Sequence, residues 1–250
     1  MVVVVWLGIA ALMLLIWLAY LKMGNAAIID VFWSMGITLA ALAFFAIKGH
    51  FNQRSLLILL LLIIWASRLS AFLYWTRIRK KHSDQRYQTL SHNWRHPAWG
   101  FLLNYQLQGV LMVIMALPFL WSTQILTWHS IDIVGMLLVI AGIVGESIAD
   151  YQLLCFKQSA NRSGVMQQGL WRYSRHPNYF FECVVWFGFA ILALPAQRGW
   201  LGLVAPLLLL LIMLGITLPM TEKQSLQSKG QAFRDYQRRT SAFIPWWPKL

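Results

Sequence analysis

Residues 2–21 read VVVVWLGIAALMLLIWLAYL, twenty consecutive positions without a charged side chain. As a helix rising 1.5 Å per residue this stretch is about 30 Å long, the thickness of a bilayer's hydrocarbon core. It is too long for the apolar region of a signal peptide, and no basic stretch precedes it, so it reads as a retained helix. Further apolar runs follow at 26–47, 56–75, 101–121, 131–156, 179–196 and 200–219. The composition agrees: 59% of the 250 residues are hydrophobic and only 12% are charged, where soluble chains carry about 25%. A soluble core of this size cannot hide so much apolar surface. The expected fold is all-α, a polytopic bundle of about seven transmembrane helices forming one integral domain over residues 1–250.

The net charge of +13 would point to nucleic acid in a soluble protein. In a membrane protein it has a topological explanation. With the N-terminus outside and seven spans, 17 of the 21 Lys and Arg residues fall on the cytosolic side. They are Lys22, then Arg77, Arg79, Lys80, Lys81, Arg86 and Arg95, then Lys157, Arg162, Arg172 and Arg175. The tail adds Lys223, Lys229, Arg234, Arg238, Arg239 and Lys249. Only Lys48, Arg54 and Arg198 fall outside, and Arg68 lies within a span. This satisfies the positive-inside rule, so the C-terminus is expected in the cytosol and no nucleic-acid partner is implied. Cys155 and Cys183 read as small buried hydrophobes, with no disulfide framework and no metal site.

Charged groups inside spans are costly and face a protein interior or a wet cavity. Asp30, Arg68, Glu146, Asp150 and Glu182 are such groups. Glu146, Asp150 and Lys157 recur at spacings of 4 and 7, which places them on one helix face. Asn104 and Gln108 repeat the spacing on the fourth run. Interhelical pairing, with Arg68 neutralising a buried carboxylate such as Asp30, is the plain reading. A lined cavity is the other, because the polar groups sit on several spans.

The segment GLWRYSRHPNY at 169–179 packs two Arg, one His, two Tyr and an Asn directly before a span. Pro177 suits the first turn of that helix. Arginine forks match phosphate oxygens, and aromatic faces can stack on a flat ring, a combination suited to a nucleotide cofactor. The closing stretch FRDYQRRT at 233–240, followed by FIPWWP at 243–248, reads equally as a basic interfacial helix with an aromatic anchor or as part of the same site.

The 169–179 run, with Glu182 after it, resembles the C-terminal signature of the membrane steroid 5-alpha-reductases and of sterol reductases acting on C14 and C7 double bonds. It looks most like the bacterial family called domain of unknown function 1295. The likeness extends through Ile29 to Trp33, Trp65 to Leu69, Asp84 to Tyr87, Ala149 to Gln152 with Phe156 and Lys157, and Tyr236 to Pro245. It implies an NADPH-dependent reductase of a carbon–carbon double bond in a steroid-like or other enone lipid, in the inner membrane of a bacterium, with its cofactor module at about 130–250 facing the cytosol. By motif, Arg68, Asp150, Lys157, Arg172, Arg175, His176, Asn178, Tyr179, Tyr236 and Arg238 would meet the cofactor. Trp65, Glu146, Glu182 and Trp186 would line the substrate.

The reductases carry a Tyr where this chain has Trp65, and indole cannot supply a phenolic proton. Either another acid serves, Asp30, Tyr74 or Tyr105, or the substrate is not a 3-oxo steroid. Membrane methyltransferases of isoprenylcysteine or phospholipids, which bind S-adenosylmethionine, share an Arg-His-Pro-x-Tyr segment with a distal Glu and Tyr. Arg175 to Tyr179, Glu222 and Tyr236 can be read that way. A non-catalytic lipid-binding membrane protein is the third reading.

Overall fold

A computed structural model describes residues 1–48, 51–79, 87, 90–92, 94–159 and 164–249. Lys80, Lys81, Arg86 and Arg162, and Asp84 to Arg86 of the family-like blocks, lie outside the described residues. Among the described residues the chain is helical, in seven helices: α1 (Val2–Met23), α2 (Ile28–Lys48), α3 (Gln53–Ile78), α4 (Pro97–Ser122), α5 (Ser130–Gln158), α6 (Pro177–Ala193) and α7 (Gly199–Arg239). Each apolar run of the sequence has become one helix. All but α6 are long and apolar enough to cross a membrane. The 17 residues of α6 make about 26 Å, close to a bilayer's hydrocarbon thickness.

The residues fall into two compact units, Met1–Trp128 with Ala193–Val204, and His129–Leu192 with Ala205–Leu250. In the first unit α1 buries Val5, Ile9, Met13 and Ile16, a single stripe at helical spacing. It packs on α4, where Trp17 Nε1 donates to the Ala98 carbonyl at 2.8 Å and Gln106 Nε2 to the Ala10 carbonyl at 3.2 Å. The opposite face of α1 exposes Val3, Leu7, Leu15 and Leu18, as a lipid-facing helix should. Helices α2 and α3 are joined by small polar groups. Ser34 and Ser70 hydroxyls lie 2.7 Å apart, and Ser70 Oγ donates to the Val31 carbonyl at 2.9 Å. Such serine bonds let helices approach closely where lipid provides no hydrophobic drive. Along α4, Gln108 Nε2 donates to Asn104 Oδ1 at 2.7 Å.

In the second unit α5 and α6 cross at glycines. A Cβ on Gly142 would stand 2.8 Å from the Val185 nitrogen and 2.9 Å from the Phe181 carbonyl oxygen, so the backbones touch only because no side chain is there. The outer face of α5 exposes Ile133, Leu137, Ile140, Val144, Ile148 and Tyr151. Cys155 continues this stripe and is exposed. The expectation of a buried Cys155 is therefore corrected: helical spacing turns it to the lipid side, whereas Cys183 on α6 is buried. Helix α7 is apolar as far as Met220 and polar from Thr221 on. About 20 residues cross a bilayer, so Gly199 to Met220 suffices and the rest of α7 lies beyond the span. The helix breaks direction at Gly230, with φ 55° and ψ −125°, a conformation only glycine adopts without strain.

Candidate functional site

The 169–176 segment is held against α5 and α7 by backbone-directed bonds. Gly169 has φ 59° and sits over the Gln152 side chain, with no room for a Cβ. Gln152 Oε1 in turn accepts the Leu170 N–H at 3.0 Å, and Trp171 Nε1 donates to the Ala149 carbonyl at 2.9 Å. These bonds convert a short loop into a fixed lead-in to α6, whose first residue is Pro177. Pro at the first helical turn lacks only an N–H that would have no helical partner.

Glu222 organises the next layer. Its Oε1 accepts Arg175 Nε at 2.7 Å and lies 3.3 Å from His176 Nε2. Its Oε2 accepts Gln237 Nε2 at 2.6 Å. Arg175 Nη1 also donates to the carbonyls of Gln237 at 3.1 Å and Thr240 at 2.5 Å. The side chains of Arg175 and Glu222 are only 10% and 12% exposed. Burial alone would push the Glu222 carboxyl up, but the hydrogen bonds from His176, Arg175 and Gln237 and the Arg175 charge outweigh it and hold it at about 2, well below its ordinary 4.5. Tyr236 completes the clasp by donating its phenol to the Trp171 carbonyl. Burial pushes that phenol up, Arg175 opposes the shift and Glu222 reinforces it, so Tyr236 stays a donor. His176 is buried and stacks on Tyr179, centroids 5.1 Å apart and planes within 9°. Tyr179 reaches Thr221 Oγ1 on α7 at 3.3 Å.

On the inner side of the clasp a buried polar line begins. Asn178 Nδ2 donates to Asp150 Oδ1 at 3.3 Å. The other end of the same carboxamide, Oδ1, is buried and has no hydrogen-bond partner among the described residues. Asp150, Glu146 and Glu182 are each about 95% buried. Glu182 accepts Trp186 Nε1 at 2.9 Å one turn further along α6, and Trp186 is fully enclosed. At the outer end of α5, Lys157 is exposed and close enough to Lys229 for its charge to act there. Burial, and after it the Lys157 charge, push the Lys229 ammonium down.

A family model described as "Protein of unknown function (DUF1295)" matches residues 16–240. The chain belongs to that family. No curated protein matches it, and no solved structure does. The DUF1295 match spans every residue of the clasp and of the polar line.

Of the residues expected at a cofactor, Asp150, Asn178, Tyr179, His176, Arg175 and Tyr236 are brought together in the second unit. Arg175 and Tyr236 have their polar atoms on Glu222 and on backbone carbonyls, which makes them braces of the loop. Arg172 and Arg238 are exposed, and Arg238 lies 3.7 Å from Asp235. The residues expected at a substrate carbonyl belong to the first unit with Arg68, which is half-buried, and Trp65, which is fully buried. Asp30 there accepts from Arg77 and from the Tyr87 phenol at 2.7 Å. Both of its oxygens accept hydrogen bonds in this arrangement. Tyr105 is fully buried and donates to the Ala26 carbonyl at 2.7 Å. Tyr74 is 47% exposed and rests edge-on against Trp75.

Arg77 and Gln237 were not legible as partners. Arg77 is one of several cations in a loop sequence, and nothing local sets it apart. Glu222 had a signal, an acid just past the last apolar run. Among the described residues no group of three or more His, Cys, Asp or Glu could hold a metal ion.

Proposed function

We propose that this protein is an NADPH-dependent membrane reductase that saturates an electron-poor carbon–carbon double bond in an enone lipid. The observation that supports it is the Asn178 carboxamide, oriented by Asp150 and left with a buried acceptor that nothing in the described residues fills. Buried acceptors are almost always satisfied, and the amide NH2 of a nicotinamide is a donor of the matching kind. Lys157 at the end of α5 and Lys229 on α7 are cations of the kind suited to the cofactor's phosphates. NADPH would supply the hydride to the β-carbon and leave as NADP+, and a proton drawn from water would complete the α-carbon. The protein's part is to orient the flat nicotinamide through Asn178 and Asp150, with Trp186 and Glu182 deeper in, and to exclude water. The cation distribution supports a cytosolic C-terminus, which would place this entrance where NADPH is found.

The methyltransferase reading has its own observation, since Arg175, His176, Glu222 and Tyr236 do meet. They meet as a closed clasp, in which three side chains already address Glu222 and the Tyr236 phenol is on a backbone carbonyl. That arrangement favours a structural brace over a ligand site.

The test is calorimetric titration of the purified protein with NADPH and with S-adenosylmethionine, repeated on Asn178→Leu. NADPH binding that weakens about tenfold or more in the variant is expected, in line with the loss of one or two buried hydrogen bonds. Binding of S-adenosylmethionine alone would establish the rival, and binding of neither would leave a lipid-binding protein without this chemistry.

A further inference from the structure

Beside the clasp, the polar end of the second unit carries a cleft of about 700 Å3 among whose lining residues are Arg172, Arg239, Lys249, Gln167, Gln168 and Thr240. A smaller one of about 380 Å3 shares Arg239, Thr240 and Lys249, adds Arg238, Trp246 and Trp247, and reaches the clasp at Arg175 and Gln237. Among the described residues neither lining includes a carboxylate. The C-terminal strap is fixed there by main-chain bonds, Trp246 N–H to the Tyr173 carbonyl at 2.9 Å and Lys249 N–H to the Arg239 carbonyl at 2.8 Å. Ser174 Oγ adds a bond to the Phe243 carbonyl at 2.7 Å, and Phe243 packs edge-on against Phe180 in the first turn of α6.

These ties set the level of the cleft. Arg172 stands five residues before the start of an apolar helix, and the strap is bonded to the residues between them, so the cations lie where that helix passes from hydrocarbon to water. Beside them Ile244, Trp246 and Trp247 are 61%, 70% and 72% exposed. Large apolar side chains next to a cluster of basic groups are costly in water and suited to the headgroup region, where indoles partition and phosphates abound.

We propose that this cleft is a phosphate-binding site for the headgroup of an anionic phospholipid, with Arg172, Arg239 and Lys249 on the phosphate and Ile244, Trp246 and Trp247 among the acyl chains. The site is separate from the Asn178 line, and the inference does not rest on the reductase reading. Soluble phosphate shares the chemistry but has no use for the exposed indoles.

The experiment titrates the full-length protein, delipidated in neutral detergent, with phosphatidylglycerol or phosphatidylcholine and reads bound lipid by native mass spectrometry. Phosphatidylglycerol is expected to bind more tightly. The double variant Arg239→Gln, Lys249→Gln should weaken it about 30-fold, as expected for two basic contacts to an anionic headgroup. The control Lys223→Gln, Arg234→Gln, with the same loss of charge outside the cleft, should leave it unchanged. Equal binding of the two lipids, or equal losses in the two double variants, would overturn the site. Release of bound phosphatidylglycerol by millimolar inorganic phosphate would overturn the lipid as its occupant. Trp246→Ser with Trp247→Ser should weaken phosphatidylglycerol while leaving phosphate without effect.

Discussion

Replacing Glu222 by Gln tests the clasp most directly. Glu222 carries three donors, at 2.7, 3.3 and 2.6 Å, and its side chain is 12% exposed. A hydrogen bond to a charged group contributes about 1.5–3 kcal/mol. Removing one partner of a buried ion pair costs about 3–5 kcal/mol. Here the cost is at the lower end, because Arg175 Nη1 keeps the Gln237 and Thr240 carbonyls. We expect about 3 kcal/mol, which for a chain of this size lowers the unfolding midpoint by roughly 6–12 °C. Thermal unfolding in detergent, followed by tryptophan fluorescence, reads the loss. A cycle with Arg175→Met isolates the pair, and the two single losses should fall short of adding up in the double variant.

The pH dependence follows from the depressed carboxyl. A group whose pKa is lowered on folding stabilises the native state above its unfolded value and loses that contribution as pH falls toward the folded one. The gap between wild type and Glu222→Gln should stay constant from pH 8 to 6 and shrink only below about 4.5, toward 2. A gap under 1 kcal/mol at pH 7, or one that persists undiminished at pH 2, would refute the ion-paired clasp.

At Gly142 a side chain would meet the backbone of α6 at 2.8–2.9 Å, which cannot move aside as a flexible side chain can. Gly142→Leu should lower stability by more than the 1–3 kcal/mol usual for overpacking, and Gly215→Ala, with open space around it, should not; equal melting points would refute the close crossing. Asp30→Asn should strand Arg77 and loosen Tyr87, lowering the unfolding midpoint by a few degrees while leaving the NADPH affinity proposed for the second unit unchanged. A variant with wild-type stability would show that the ion pair does not hold this corner.

The membrane fold was legible because it depends on amounts: apolar runs near 20 residues need no tertiary information to be read as helices, since lipid satisfies no backbone group and the helix satisfies its own. The order of residues at 169–179 likewise marked that segment before any geometry was known. Which atoms it would use was not legible. Arg175 and Arg172 are both arginines three positions apart, yet one is bound to Glu222 across 47 residues of sequence and the other lines an open cleft. Arg175 meets Glu222 before the break at Gly230 and Gln237 and Thr240 after it. Likewise the partners of Asp30 and the contrast between Cys155 and Cys183 depend on which helix face meets a neighbour. Hydrophobicity and spacing act locally and are written in the chain, whereas a hydrogen bond or ion pair forms only where distant segments converge.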